Sequence, residues 1–164
     1  MIVQNIFGQI VLPKDLKRVG EIKFADVNVF NVDSFYESNN KKLNFVQGDI
    51  FNILPKGTKR FEHKFFVVAD EISTTNWEDV SKIFDPIFQE EFWWIFKEQI
   101  YSDSSFLKKD GYPNVFFVFC YDRQTRSVQV YFNDGVWDIR IYEINESLFW
   151  NRGVRFFLTK TLIE

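Results

Sequence analysis

Three residues of this chain have side chains suited to metal-assisted hydrolysis, namely Asp49, Glu62 and Lys64. Two carboxylates can hold Mg²⁺ while a lysine orients the attacking water, and this is the order of groups in a metal-dependent nuclease core. The pattern has low specificity, because the chain contains two further triplets of acid, any residue and lysine. A Mg²⁺-dependent nuclease-like enzyme is therefore an alternative hypothesis rather than the favoured one.

Other catalytic chemistry has less support in the sequence. A nucleophilic site would have to use the single histidine, His63, and no nucleophile signature accompanies it. One histidine and one cysteine, Cys120, cannot supply the four ligands of a structural zinc site, and no glycine-rich phosphate loop is present. Cys120 lies in an apolar run and is expected to be an inert core residue. The sequence predicts a protein that is not an enzyme and uses no cofactor or metal.

The clearest asymmetry of the chain is one of charge. Residues 70–103 carry nine acidic side chains against two lysines, and the net charge of the whole chain is -3. Glu78 and Asp79 fall in a predicted first helical turn, where the helix dipole favours anions. If a second helical segment starts at Pro86, the remaining acids of that segment have no such explanation.

On a helical wheel starting at Pro86, a second apolar stripe lies opposite the natural core face. The stripe consists of Ile87, Trp94 and Tyr101, and the acids Glu90, Glu91 and Glu98 flank it. Aromatic residues beside acids are typical of protein-binding hot spots. Two interpretations remain open, an exposed binding stripe or a helix buried on two sides by its own sheet and loops. The first interpretation predicts a partner-binding site made of Ile87, Glu90, Glu91, Trp94, Glu98 and Tyr101.

The elements that must position these residues follow from hydrophobic periodicity. Glu21 to Val32 and Leu43 to Leu54 are predicted to pair as antiparallel strands, and Arg60 to Ala69 is predicted to form a third. A helical segment follows from about residue 76 to residue 101, with Thr75 and Glu78 spaced as a capping box. Because Pro86 lacks an amide proton, the helix is expected to kink or break there.

After residue 114 the pattern returns to strands, with a hairpin signal at Asn133-Asp134-Gly135 and a short helical turn near Glu146 to Trp150. In the strand from Val136 to Ile144 the side chains alternate, so one face is expected to be wet. The expected fold class is α+β, with a mainly antiparallel β-sheet packed against the central helical segment. Residues 1–164 are expected to form a single domain.

Composition limits the function classes. A chain of 164 residues with 46% hydrophobic and 20% aromatic content can build a core without disulfides. Residues 1–7 lack the positively charged start of a secretory signal, so export by that route is not expected. With no apolar run long enough for a transmembrane helix and only one cysteine, a cytoplasmic location is expected, away from membranes. The negative charge and the lack of a basic run argue against nucleic acid as a partner.

These features favour a non-catalytic protein-binding module. In size, acidity, expected location and lack of catalytic signatures, the chain resembles in type the immunity proteins of bacterial contact-dependent and polymorphic toxin systems. That resemblance implies a tight stoichiometric complex with a basic partner, such as a cognate toxin domain with nuclease activity. A carrier of small apolar ligands is a further alternative, with a pocket lined by Phe45, Phe51, Phe65, Phe116 and Phe132.

Overall fold

The computed structural model describes residues 11–24, 27–31, 40–48, 53, 58–61, 64–73, 75–145, 149–150 and 153–160. Within these ranges two α-helices are present, α1 (Trp77–Ile83) and α2 (Gln89–Tyr101), and a 3-10 turn at Asn40–Lys42. The strands of the same ranges are β1 (Leu16–Phe24), β2 (Val27–Asn31), β3 (Leu43–Gln47), β4 (Thr58–Phe61), β5 (Lys64–Glu71), β6 (Thr75–Asn76), β7 (Ile87–Phe88), β8 (Asn114–Phe119), β9 (Thr125–Asn133), β10 (Val136–Glu143), β11 (Phe149–Trp150) and β12 (Arg155–Thr159).

The fold is α+β, but its main sheet is mixed rather than mainly antiparallel. The sheet has eight strands, of which seven follow the order β1-β5-β12-β8-β9-β10-β3 and β7 pairs with β8. The pairs β12–β8, β10–β3 and β7–β8 are parallel. Parallel neighbours need long connections, and these strands are indeed far apart in the chain. Local periodicity cannot reveal such pairs.

Several expected strand pairings are corrected by the same topology. The segments Glu21 to Val32 and Leu43 to Leu54 do not pair with each other as predicted. The first contains the end of β1 and all of β2, which pair with β5 and β4, and β3 in the second pairs with β10. The predicted strand from Arg60 to Ala69 is divided between β4, which pairs with β2 in a separate sheet, and β5. Phe149 and Trp150 form a short strand paired with β6 rather than a helical turn, and residues 146–148 lie outside the described ranges.

Three adjacent strands in the middle of the main sheet are buried on both faces. In β5, Phe66 and Val68 belong to one core cluster, while Val67 and Ala69 belong to the other. The same alternation puts Phe116 and Phe117 of β8 in different clusters, and it separates Phe157 of β12 from its neighbours Phe156 and Leu158. Strands covered on both sides are apolar without interruption. This burial explains the continuous apolar runs that these three strands show in the sequence.

The two helices cover opposite faces of this sheet. Trp77 and Val80 of α1 pack with Val67, Phe117 and the residues on their side, which we call the α1 face. The side chains of α2 from Phe92 to Phe96 pack on the other side, the α2 face. The expected break at Pro86 is confirmed, and its consequence is larger than a kink. The two halves of the predicted helical segment lie on opposite sides of the sheet.

The chain passes between the two faces within the plane of the sheet, at the end of β12. The amide of Asp85 donates to the carbonyl of Thr159, the last residue of β12, at 3.0 Å. Ile87 and Phe88 then pair in parallel with the end of β8, beyond the residues of β8 that pair with β12. The segment from Asp85 to Phe88 thus takes the place that β12 leaves vacant beside β8.

The hairpin between β9 and β10 is confirmed at the expected turn. Asp134 and Gly135 both have positive φ values, 49° and 81°, as a two-residue type I′ turn requires. β10 alternates as expected, because Trp137, Ile139 and Ile141 are buried in the core of the α2 face. The polar residues between them point to the α1 face, beyond the strands that α1 covers.

The loop from Ser102 to Pro113, which connects α2 to β8, is held by Asn114. The side chain of Asn114 is fully buried. Its Oδ1 accepts from the amide of Lys108 at 2.7 Å, and its Nδ2 donates to the carbonyls of Lys108 and Val130, both at 3.1 Å. Gln99 of α2 adds a second anchor by accepting from the amide of Phe106 at 2.7 Å. The middle of this loop is therefore tied to both of the elements that it connects.

We expect Asn114→Ala to lower the free energy of unfolding by about 2–4 kcal/mol, because buried backbone groups lose their partners. The control is Asn44→Ala, which removes one exposed hydrogen bond to Asp138 and should cost about 0.5 kcal/mol or less. Urea unfolding followed by circular dichroism measures both. Equal losses in the two variants would mean that Asn114 does not anchor the loop.

Candidate functional site

The structure divides the six residues of the predicted partner-binding stripe into two groups. Ile87, Glu90, Glu91 and Trp94 are buried, whereas Glu98 is exposed and Tyr101 is 59% exposed. Ile87 lies in β7 beside β8, and Trp94 belongs to the core of the α2 face. The first four residues therefore match the interpretation of a helix buried on two sides. Their role in partner binding stays a prediction, and of the six predicted residues Glu98 and Tyr101 are the two whose side chains are exposed.

The start of α2 explains two of the buried acids. The helix begins at Gln89, three residues after the expected start at Pro86, so Glu90 and Glu91 fall in its first turn. Glu91 Oε1 accepts from the amide of Phe88 at 3.0 Å. An acid at this position satisfies an amide at the end of the helix and complements the helix dipole. Their charge therefore needs no external partner to explain it.

The other end of α2 carries an exposed group that we call the Tyr101 surface, made of Glu98, Tyr101 and Asp103. Glu98 and Tyr101 are three residues apart, so they are neighbours on the helix surface. Asp103 is exposed just beyond the C-cap residue, Ser102. The last turn of α2 contains no basic residue, so the partial negative charge of the helix C-terminus adds to the two carboxylates.

The remaining acids of residues 70–103 mostly have partners within the fold. Asp70 and Arg155 form a two-pronged ion pair, with Nε to Oδ1 at 2.6 Å and Nη2 to Oδ2 at 2.9 Å. Glu78 pairs with Lys82 at 3.1 Å, and Glu71 is buried at the end of β5. In the described ranges no ion pair involves Glu98 or Asp103. Glu98 and Asp103 are thus two exposed acids that lie together at the Tyr101 surface, whereas the exposed Asp79 lies apart from them in the first turn of α1.

The residue that caps the N-terminus of α1 differs from the expected one by one position. The cap residue is Asn76 rather than Thr75, and its side chain accepts from the amide of Glu78 at 2.8 Å. Glu78 and Asp79 do lie in the first turn, as the sequence indicates. These two acids therefore have the structural role that was expected of them.

The structure does not test the catalytic hypotheses, because it does not describe the side chains on which they depend. Asp49, Glu62 and His63 lie outside the described residues, and only the backbone of Lys64 is described. Cys120 is buried, as expected of a core cysteine, and burial raises the pKa of its thiol. Across the described ranges, no three of the histidine, cysteine and acidic side chains are grouped so that they could hold a metal ion.

The aromatic residues suggested for an apolar pocket are found packed against other rings. Phe116 stacks on Phe157 with centroids 4.6 Å apart, and Phe132 meets Trp137 at 5.0 Å. Phe45 lies 6.2 Å from Trp93. Phe51 and the side chain of Phe65 lie outside the described part of the chain. The three rings that can be placed fill the core, and the carrier hypothesis itself stays untested.

A polar surface that the sequence reasoning did not assign to a function lies on the α1 face of β9 and β10. Its inner residues, Ser127 and Gln129, are fully buried, and Tyr131, Arg140 and Tyr142 are half-buried above them. A depression of about 500 Å³ lies at the end of the same strands, lined by Glu78, Ser81, Thr125, Ile144 and Asn145. The alternation of β9 and β10 was the available signal for this surface.

Comparisons with known proteins do not place the chain in a class. Neither a protein-family model, nor a curated protein, nor a solved structure matches it. Of the helices in the described ranges, none is long and apolar enough to cross a membrane. The function must therefore be argued from the geometry of its own surfaces.

The division of the stripe is tested by comparing its two aromatic residues. Trp94 is 7% exposed, and we expect Trp94→Ala to cost about 3–5 kcal/mol of unfolding free energy because it leaves a cavity. Tyr101→Ala should cost about 0.5 kcal/mol or less, as is usual at an exposed position. Urea unfolding measures both changes. A native-like stability for Trp94→Ala would show that the indole is not part of the core.

Proposed function

We propose that this protein is a non-catalytic, cytoplasmic binding module that forms a tight stoichiometric complex with a basic protein partner. Its closest functional type is the bacterial immunity protein or antitoxin, which neutralises a toxin such as a nuclease by covering its active or substrate-binding face. The observation that carries the proposal is the Tyr101 surface, where two acids without ion pairs in the described ranges flank an exposed tyrosine.

Electrostatics supports a basic partner. Glu98, Asp103 and the C-terminus of α2 contribute negative potential at one place, and no basic residue in the last helical turn offsets it. Such a field accelerates the approach of a cationic partner and weakens as salt rises, because the screening length is about 8 Å at physiological ionic strength. A toxin that acts on nucleic acid carries the complementary charge.

Tyr101 is proposed to contribute the contact energy that holds the complex together once electrostatic attraction has brought the partner close. Tyrosine is enriched among residues that dominate binding energy, since its ring buries apolar area and its hydroxyl keeps a hydrogen bond. The ring belongs to a helix whose opposite side is packed in the core through Phe92 and Phe96. The following loop is anchored by Gln99 and Asn114. A rigid support of this kind reduces the entropy lost on binding.

The test uses affinity capture from native host lysate at low and moderate salt, followed by binding kinetics with the retained protein. We expect wild type to retain one basic protein in a one-to-one ratio. Tyr101→Ala should weaken that complex by about 2 kcal/mol or more. Glu98→Lys should mainly slow association, with an effect that shrinks at higher salt.

The matched control is Glu143→Lys, which reverses an exposed acid at the end of β10 and should bind as wild type does. If the Glu98 and Glu143 variants lose affinity equally, net charge rather than the Tyr101 surface governs binding. If Tyr101→Ala and Glu98→Lys both keep full affinity, the partner binds elsewhere.

A further inference from the structure

On the α1 face of β9 and β10, polar side chains are buried. Val128, Val130, Ile139 and Ile141 of β9 and β10 point into the core of the α2 face. The intervening residues therefore point to the α1 face, where the register places Gln129 directly opposite Arg140 and Ser127 directly opposite Tyr142. Polar residues on a sheet face are ordinarily wet. Here the innermost two, Ser127 and Gln129, are completely buried.

Three buried polar atoms of this surface have no hydrogen-bond partner in the described part of the chain. They are Ser127 Oγ, Gln129 Nε2 and Arg140 Nε. Nearly all buried polar atoms in folded proteins are paired, and those that are not call for a bound water, ion or ligand. Gln129 Nε2 and Arg140 Nε can only donate hydrogen bonds, and Ser127 Oγ can donate one. Each of the three atoms can therefore be satisfied by a hydrogen-bond acceptor.

Arg140 identifies the charge of that acceptor. Its guanidinium lies over the ring of Tyr131, 4.8 Å from the centroid, and no ion pair with it occurs in the described ranges. Asp138, two residues away on the same face, accepts a hydrogen bond from Asn44 at 3.1 Å. The carboxylate that lies closest along the strand is thus engaged with another side chain. A half-buried guanidinium without a carboxylate partner suits an oxyanion ligand.

Neighbouring hydroxyl groups complete the surface. The Tyr131 hydroxyl donates to Gln129 Oε1 at 2.6 Å, which leaves the amide nitrogen of Gln129 as the free donor. Burial raises the pKa of the Tyr131 phenol, the nearby Tyr142 hydroxyl raises it further, and Arg140 acts in the opposite direction. The Tyr131 phenol therefore stays protonated, and because its hydrogen is already donated to Gln129, the donors that remain on this surface include Gln129, Arg140 and Tyr142. Arg140 is close to both tyrosines on this face, since its guanidinium lies over the Tyr131 ring and Tyr142 follows it by two residues along β10.

We propose that the α1 face of β9 and β10 is a binding site for an oxyanion, either the carboxylate or the phosphate group of a small molecule. Arg140 supplies the positive charge, and Tyr142 and Gln129 supply further donors. The depression of about 500 Å³ begins at Thr125, two residues along the same strand face from Ser127, and offers space for the rest of the ligand. The Tyr101 surface takes no part in this site.

Isothermal titration of the full chain with inorganic phosphate, and separately with succinate, tests the proposal. We expect saturable one-to-one binding of at least one of the two anions. Arg140→Gln should weaken that binding at least tenfold, and Tyr142→Phe should weaken it by several-fold, because the latter removes only a hydroxyl group. The tighter of the two anions identifies the phosphate or the carboxylate as the preferred group.

The matched control is Arg123→Gln, which removes the same charge from an exposed turn residue and should leave binding unchanged. Amide NMR spectra establish whether each variant is folded. If Arg140→Gln does not fold, Tyr142→Phe still tests the proposal. Equal weakening by the two arginine variants would overturn the proposal by showing general charge screening. So would the absence of saturation with both anions, which would leave buried water as the partner of these atoms.

Discussion

The passage of the chain through the plane of the sheet at Asp85–Phe88 is the constraint on which the remaining structure depends. Pro86 cannot continue a helix, and Ile87 and Phe88 find backbone partners only where β12 ends beside β8. One short helix is thereby placed on each side of the same strands. The middle strands β5, β12 and β8 are then buried on both faces, which is why their sequences are apolar without alternation.

The same constraint determines which charges reach the surface. Because β7 occupies residues 87 and 88, α2 can begin only at Gln89, and Glu90 and Glu91 are drawn into its first turn beside the sheet. The carboxylate of Glu91 is used to hold the amide of Phe88. The negative charge left for a partner lies at the opposite end of α2, where Glu98 and Asp103 flank Tyr101. The proposed binding function therefore rests on the end of the helix rather than on its length.

Local signals in the sequence predicted local structure well. Pro86 marked the break, Asn133-Asp134-Gly135 marked the hairpin, and the alternation of β10 marked its buried side. Pairings between distant segments were beyond reach, because nothing near Leu43 encodes its parallel partner Trp137. The choice between an exposed stripe and a helix buried on two sides depended on the helix start, because α2 begins three residues after Pro86 and Glu90 and Glu91 are buried in its first turn. The polar surface around Gln129 was visible as alternation, but its burial depends on tertiary packing.

The most direct test of this architecture uses the adjacent residues Phe116 and Phe117 of β8. Phe116 lies 5.1 Å from Phe92 of α2, and Phe117 lies 6.4 Å from Trp77 of α1, measured between ring centroids. Nuclear Overhauser spectroscopy of protein with labelled aromatic rings should therefore connect Phe116 to Phe92 and Phe117 to Trp77, without the crossed pairs. Contacts from both helices to the same phenylalanine would place α1 and α2 on one face of the sheet and contradict the arrangement described above.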